Sequence, residues 1–117
     1  AVNRKARFNY SIEEEIEAGL VLTGTEVKSL RAGRANIADA FASEKEEELW
    51  LWNASIEAYG QGGHFNHDPK RPRKLLLHKK QIKKLAGRLK NKGVTLVPLT
   101  LYFNARGIAK VKLGLAT

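Results

Sequence analysis

The stretch Val97-Pro98-Leu99-Thr100-Leu101-Tyr102-Phe103-Asn104-Ala105-Arg106-Gly107-Ile108-Ala109-Lys110-Val111-Lys112-Leu113-Gly114-Leu115 decides the fold class, because apolar and polar residues alternate along both of its arms. Successive side chains of a strand point to opposite faces, so a period of two marks a half-buried strand. Val97, Leu99, Leu101 and Phe103 are therefore expected on one face of a first strand, and Ala109, Val111, Leu113 and Leu115 on one face of a second. The four residues Asn104 to Gly107 end in glycine, a common antiparallel connection. Pro98 has no amide donor and belongs on an edge or at a bulge.

Outward from this hairpin, residues 79–92 are the clearest helix: Ile82, Leu85, Ala86 and Leu89 fall at i, i+3, i+4 and i+7, seven basic residues fill other positions, and Gly93 ends it. Before it, Asp68-Pro69-Lys70-Arg71-Pro72-Arg73-Lys74-Leu75-Leu76-Leu77 reads as a stiff, extended, basic edge, held by two prolines and anchored by the Leu triplet. Thr23-Gly24-Thr25-Glu26 fits a capping box, followed by a short helix with Val27 and Leu30 inward, Lys28 and Arg31 outward, and Gly33 at its end. Phe8, Tyr10 and Ile12 alternate with polar residues as in a strand ending near Glu14, after which Ile16 and Leu20 stand one helical turn apart. Residues 38–52 read as a hairpin across the polar turn Glu44-Lys45-Glu46-Glu47-Glu48; its second strand, Leu49-Trp50-Leu51-Trp52, is covered on both faces or half covered with the Trp pair exposed. Residues 55–59 form a short strand before the flexible loop Gly60-Gln61-Gly62-Gly63. The sum is mainly β with helices, about six strands and three helices. A chain of 117 residues in this pattern predicts one domain, residues 1–117. A small antiparallel barrel with an oligonucleotide-binding (OB-like) core would hide its strand edges.

Charge narrows the partner. The chain carries 21 Lys and Arg against 12 Asp and Glu, net +9, and residues 70–92 hold eleven of the cations without one acid. A helix selected only for solubility mixes signs at i, i+4, so this run points to a polyanion, nucleic acid before anionic membrane. The hydrophobic share of 43% is that of a folding chain. No apolar run approaches the ~18 residues of a spanning helix, and the N-terminus lacks the apolar core of a signal peptide. The absence of cysteine excludes disulfides and Cys-based zinc sites and fits a reducing cytoplasm. Without methionine, and stopping at Thr117, the chain reads as trimmed.

Nothing in the sequence has the pattern of a catalytic site: there is no Cys nucleophile, no Gly-x-Ser-x-Gly and no phosphate loop, and the carboxylates lie in surface-type runs. No enzyme activity and no cofactor are expected. His64, His67 and Asp68 have a spacing that offers metal ligands, but in a glycine-rich loop without supporting groups. No metal is expected there, and His64 beside Phe65 suits base stacking and phosphate contact. Arg71 and Arg73 alternate on an extended segment, so both are expected on one side, gripping successive phosphates. Tyr59 and Phe65, next to glycines, are expected as exposed stacking platforms. Trp50 and Trp52 read as core, and Glu13 to Glu15 as a solvated face.

Asn3-Arg4-Lys5-Ala6-Arg7, Glu17-Ala18-Gly19-Leu20, Gly24-Thr25-Glu26-Val27-Lys28-Ser29-Leu30-Arg31-Ala32-Gly33, Arg71-Pro72-Arg73-Lys74-Leu75-Leu76-Leu77 and the closing Leu101-Tyr102-Phe103 and Val111-Lys112-Leu113-Gly114 occur in an order and spacing that resemble the small protein B family. The resemblance implies a barrel with an oligonucleotide-binding core and a non-catalytic role in trans-translation. Members bind the tRNA-like domain of transfer-messenger RNA and, with elongation factor Tu and GTP, help deliver it to stalled ribosomes. It implies RNA-binding roles for Asn3, Glu17 and Leu76. Lys28 and Arg31 lie within the shared motifs. Arg4, Lys5, Arg7, Lys70, Arg71, Arg73 and Lys74 would supply charge for phosphates, and Tyr59, His64 and Phe65 would stack on loop bases. The family's basic C-terminal tail is not in this chain, so the resemblance implies RNA binding without tagging. A cytoplasmic monomer is expected. The rival reading is a generic single-strand binder on the same barrel, with a ribosomal structural protein and an RNA-processing enzyme behind it.

Overall fold

The computed structural model describes residues 1–61 and 63–117, with only the backbone of His64. A short helix, α1 (Ala6–Asn9), stands where the Phe8-Tyr10-Ile12 alternation predicted a strand. Ala6 is buried against Val97, Leu99 and Ala116, while Phe8 points out. The strand begins later, as β1 (Ile12–Leu20), and runs through the predicted helical turn at Ile16 and Leu20. Ile16, Ala18 and Leu20 alternate into the core, and pairing to the end of the chain supplies the backbone partners. The capping box forms as expected and starts α2 (Gly24–Arg31), and Gly33 takes the left-handed conformation after it, φ 75°.

The remaining elements are β2 (Ala35–Asn36), β3 (Phe41–Lys45), β4 (Glu48–Trp52), β5 (Ser55–Ile56), β6 (Arg73–Leu76), α3 (Lys79–Leu89), β7 (Thr95–Phe103) and β8 (Ala109–Ala116). Six strands close in an antiparallel ring, the expected barrel, in the order β1-β6-β4-β3-β7-β8 and back to β1. β2 and β5 form a separate two-stranded ribbon. The β3–β4 hairpin turns on Glu46 and Glu47, both left-handed, at φ 55° and 66°. That is a two-residue loop of the kind usually made by Asn-Gly, built here from residues that adopt the conformation only under strain.

The ring is filled by inward residues of β1, β4, β6, β7 and β8, with Leu30 of α2 and Ile82 and Leu85 of α3 packed against them. Leu49 and Leu51 point in, and Trp50 and Trp52 are half-buried on the outer face, the second of the two arrangements read for this strand and not the core position. Pro98 sits at a break in register between Pro98 and Thr100. One extra residue there reverses which face is inside. Leu96 and Leu101 therefore join the main core, while Val97 and Leu99, expected beside Leu101, pack under α1 instead.

Candidate nucleic-acid interface

The basic edge is fixed from within by a buried ion pair. Arg73 and Glu26 are both 0% exposed. Arg73 Nε donates to Glu26 Oε2 at 2.6 Å, and its Nη1 and Nη2 donate to the carbonyls of Ala54 (2.6 Å) and Pro69 (3.0 Å). Arg71 Nη2 donates to Glu26 Oε1, which also accepts from the Thr23 amide at 2.8 Å. Burial pushes the Glu26 carboxyl up, but the hydrogen bonds from Arg71, Thr23 and Arg73 outweigh it and hold the group below its ordinary range. The expectation that Arg71 and Arg73 share an outward face is overturned: Arg73 is a tether with no surface for a phosphate. Its carbon chain leaves the strand on the same side as the buried Leu75. Arg71 keeps a third of its side chain in solvent, beside the exposed Lys70, and Lys74 is half-buried next to Glu48 at 3.7 Å.

His67 belongs to this framework as well. Its Nε2 meets the Ile56 carbonyl at 2.8 Å and its Nδ1 the Thr25 hydroxyl at 2.8 Å. A carbonyl only accepts, so Nε2 carries a proton and the ring ties α2 to β5. Asn66 clamps both backbone groups of Tyr59, accepting from its amide at 3.0 Å and donating to its carbonyl at 2.6 Å. Tyr59 is half-buried with Lys28 Nζ 5.4 Å from its ring centroid, so one face of this predicted open platform is already covered. Arg31 likewise stacks on Phe103, at 4.6 Å. Phe65 is 92% exposed, as expected of a stacking group. The predicted role of the His64 side chain lies outside the described residues.

At the N-terminus, Arg4 and Lys5 are exposed and Arg7 pairs with Glu15 at 3.1 Å. Asn3 is 8% exposed, with Nδ2 donating to the Pro98 carbonyl at 3.1 Å, so it fastens the basic arm to β7 and has little surface for RNA. The acids of β1 explain the one-signed helix: Glu13 meets Arg88 at 2.7 Å and Glu14 meets Lys84 at 3.6 Å. The counter-charges of α3 come from another element, which leaves Lys79, Lys80 and Lys83 as its exposed, unmatched cations among the ion pairs of the described residues.

Glu17 and Leu76 line one concavity at the β1–β6 seam. Direct pairing aligns Tyr102 of β7, Lys110 of β8, Gly19 of β1 and Leu76 of β6 in one row on the outer face, with Glu17 two residues along β1. Gly19 supplies no side chain, and a Cβ there would lie 3.1 Å from Leu76 Cβ. Leu76 leans over this gap yet remains 51% exposed. Tyr102 donates its hydroxyl proton to Glu17 Oε2, which pushes the Tyr102 pKa up to about 12, and Lys110 Nζ lies 4.0 Å from Oε1. The result is an open notch of about 350 Å³ lined by Glu17, Gly19, Leu76, His78, Gln81 and Lys110. Asn3 lies elsewhere, beside a second concavity with Lys5, Tyr10 and Phe41. Tyr102, Lys110 and Gly19 were not picked out in the sequence as site residues, because only cross-strand register puts them beside Glu17.

Fold and site together define a small, strongly basic antiparallel barrel whose outer face carries a polar notch and a fringe of exposed cations. The sequence profile of the SmpB protein family matches residues 1–117, and the chain belongs to that family. It is 61% identical over 116 residues to the SsrA-binding protein of Bradyrhizobium diazoefficiens, covering 99% of this chain and 74% of that one. It is 60% identical, with the same coverage, to the SsrA-binding protein of Rhodopseudomonas palustris. A solved structure described as "tmRNA-SmpB: a journey to the center of the bacterial ribosome" matches with a TM-score of 0.83 and 53% identity over 99% of this chain and 81% of that one.

Proposed function

We propose that this chain binds the tRNA-like domain of transfer-messenger RNA and takes it to stalled ribosomes in trans-translation, in cooperation with elongation factor Tu. The observation that carries this reading is the match, along 99% of the chain, to a structure described as transfer-messenger RNA with SmpB in the ribosome. The exposed cations support it: Arg4, Lys5 and Lys70, with the outer parts of Arg71 and the half-buried Lys74, give phosphates a discontinuous basic fringe around a barrel of the oligonucleotide-binding kind. The chain acts by binding and positioning, as a monomer, in the cytoplasm, and catalyses nothing. No helix among the described residues is long and apolar enough to cross a membrane.

A salt titration against the tRNA-like domain, an ordinary tRNA and an unstructured oligonucleotide of equal charge tests the reading. About five neutralised phosphates give a slope of log K against log salt of roughly −4. The expected result is tighter binding of the tRNA-like domain that persists at higher salt. Equal binding of all three would leave only a basic nucleic-acid binder.

A further inference from the structure

The loop between β5 and β6 reads as flexible from its glycines, yet it is closed at the neck. Asn66 accepts from the Tyr59 amide at 3.0 Å and donates to the Tyr59 carbonyl at 2.6 Å, so one side chain does what a strand partner would. His67, the next residue, holds the Ile56 carbonyl and the Thr25 hydroxyl and ties the foot of the loop to β5 and α2. Above the neck the chain turns through Gly63, at φ 57°, into a single turn of 3₁₀ helix, Gly63–Phe65. Phe65 emerges from this turn 92% exposed, the most exposed large apolar side chain among the described residues. An apolar ring held in water gains nothing from burial in the fold. A neck closed in advance lowers the entropy that the loop would lose on meeting a partner, as suits a ring kept for binding.

Such a ring fits an unstacked nucleobase or an apolar protein pocket, and the charges around it choose between them. Residues 58–67 contain no acid. Lys28 is exposed, with Nζ 5.4 Å from the Tyr59 ring centroid. Arg34 is exposed as well and, with Tyr59, Gly60 and Gln61, lines a concavity of about 190 Å³ at the foot of the loop. Its ion pair with Glu57, at 4.0 Å and with both side chains mostly in solvent, is weak enough for a phosphate to displace. An aromatic ring for the base with cations for the neighbouring phosphates is the pattern that single-stranded RNA takes. This loop shares no residue with the notch of Glu17 and Leu76.

We propose that the loop is a stacking site for RNA: Phe65 lies on the face of one unpaired base of the bound RNA, Lys28 and Arg34 meet the phosphates beside it, and Asn66 is a positioning residue that keeps the ring presented. Stacking uses the face of a base and not its edge, so the loop accepts any of the four. The inference rests on the RNA-binding reading above, so its test follows the ring and the partner separately. The chain is labelled with fluorophenylalanine, and the fluorine resonance that Phe65→Leu removes is that of Phe65. Adding the tRNA-like domain shifts this resonance. Phe65→Leu keeps the melting temperature and binds that RNA about tenfold more weakly, the worth of one stacked base, while Phe65→Trp binds as the wild type does. Asn66→Ala weakens binding by the wild-type loop and has no effect in the Phe65→Leu chain, because it acts through the ring. A merely structural role would cost the same in both. A resonance that stays in place with RNA, or wild-type affinity in Phe65→Leu, overturns the stacking site. So does a resonance that moves only when elongation factor Tu is added, which assigns the ring to a protein pocket. A shift and a loss in Phe65→Leu that are equal for the tRNA-like domain, an ordinary tRNA and an unstructured oligonucleotide sink the proposed partner alone. Preference for the tRNA-like domain with no effect at Phe65 sinks the stacking site alone.

Discussion

One carboxylate bonded to two guanidiniums makes Glu26 the residue on which the basic edge depends. It fixes Arg73 at the centre of the edge and draws Arg71 inward, so one buried carboxylate holds this charged segment to the body of the barrel. Removing one partner of such a pair leaves an uncompensated buried charge. Glu26→Gln is expected to cost about 3–5 kcal/mol, measured by urea unfolding. A loss within ~1 kcal/mol would mean that Arg73 finds other partners. The pH dependence has a definite sign. The folded-state pKa of Glu26 is depressed, so its contribution is fully present above the ordinary value of 4.5 and is lost as pH falls through the lower folded value. Wild-type stability should therefore fall more steeply than that of Glu26→Gln below pH 4.5.

Helix α3 shows why the charge of an element depends on its neighbours. Lys84 and Arg88 face Glu14 and Glu13 of β1, whereas Lys79, Lys80 and Lys83 have no such partner among the described ion pairs. If α3 contributes to RNA binding, the two groups act differently. Replacing Lys79, Lys80 and Lys83 together by Gln should make the salt slope shallower by about 2, and replacing Lys84 and Arg88 by less than about 1, because their charge is already offset. Equal changes from the two sets would show that the ion pairs open on binding. The exposed pairs themselves carry little stability, about 0–1 kcal/mol each.

The barrel is closed by the pairing of β1, residues 12–20, with β8, residues 109–116, so its first and last strands are neighbours. Contacts that distant in sequence must bear the entropy of closing nearly the whole chain before they are rewarded. Refolding is expected as one cooperative transition on the millisecond-to-second scale, read by stopped-flow tryptophan fluorescence from Trp50 and Trp52. Two separate transitions would mean that the chain is not one folding unit.

The sequence by itself determined the barrel class, the β7–β8 hairpin, the capped helix α2 and the basic helix α3, because each follows from local periodicity or from a cap whose partners lie within four residues. It also determined that the partner is an anion, since net charge does not depend on fold. It misread residues 8–20, where a short alternation and one i, i+4 pair looked like a strand and a turn of helix; the buried contact of Ala6 and the long pairing of β1 with β8 override both. The tertiary structure alone decided which basic residues are surface. Arg71 and Arg73 have the same alternation that puts Glu13 and Glu15 outward, but a buried carboxylate 47 residues away in sequence pulls Arg73 inside. It alone placed Tyr102, 85 residues from Glu17, against that carboxylate. Such placements come from strand register and a bulge at Pro98, which are set by the packing of the whole ring and leave no mark in any single stretch of sequence.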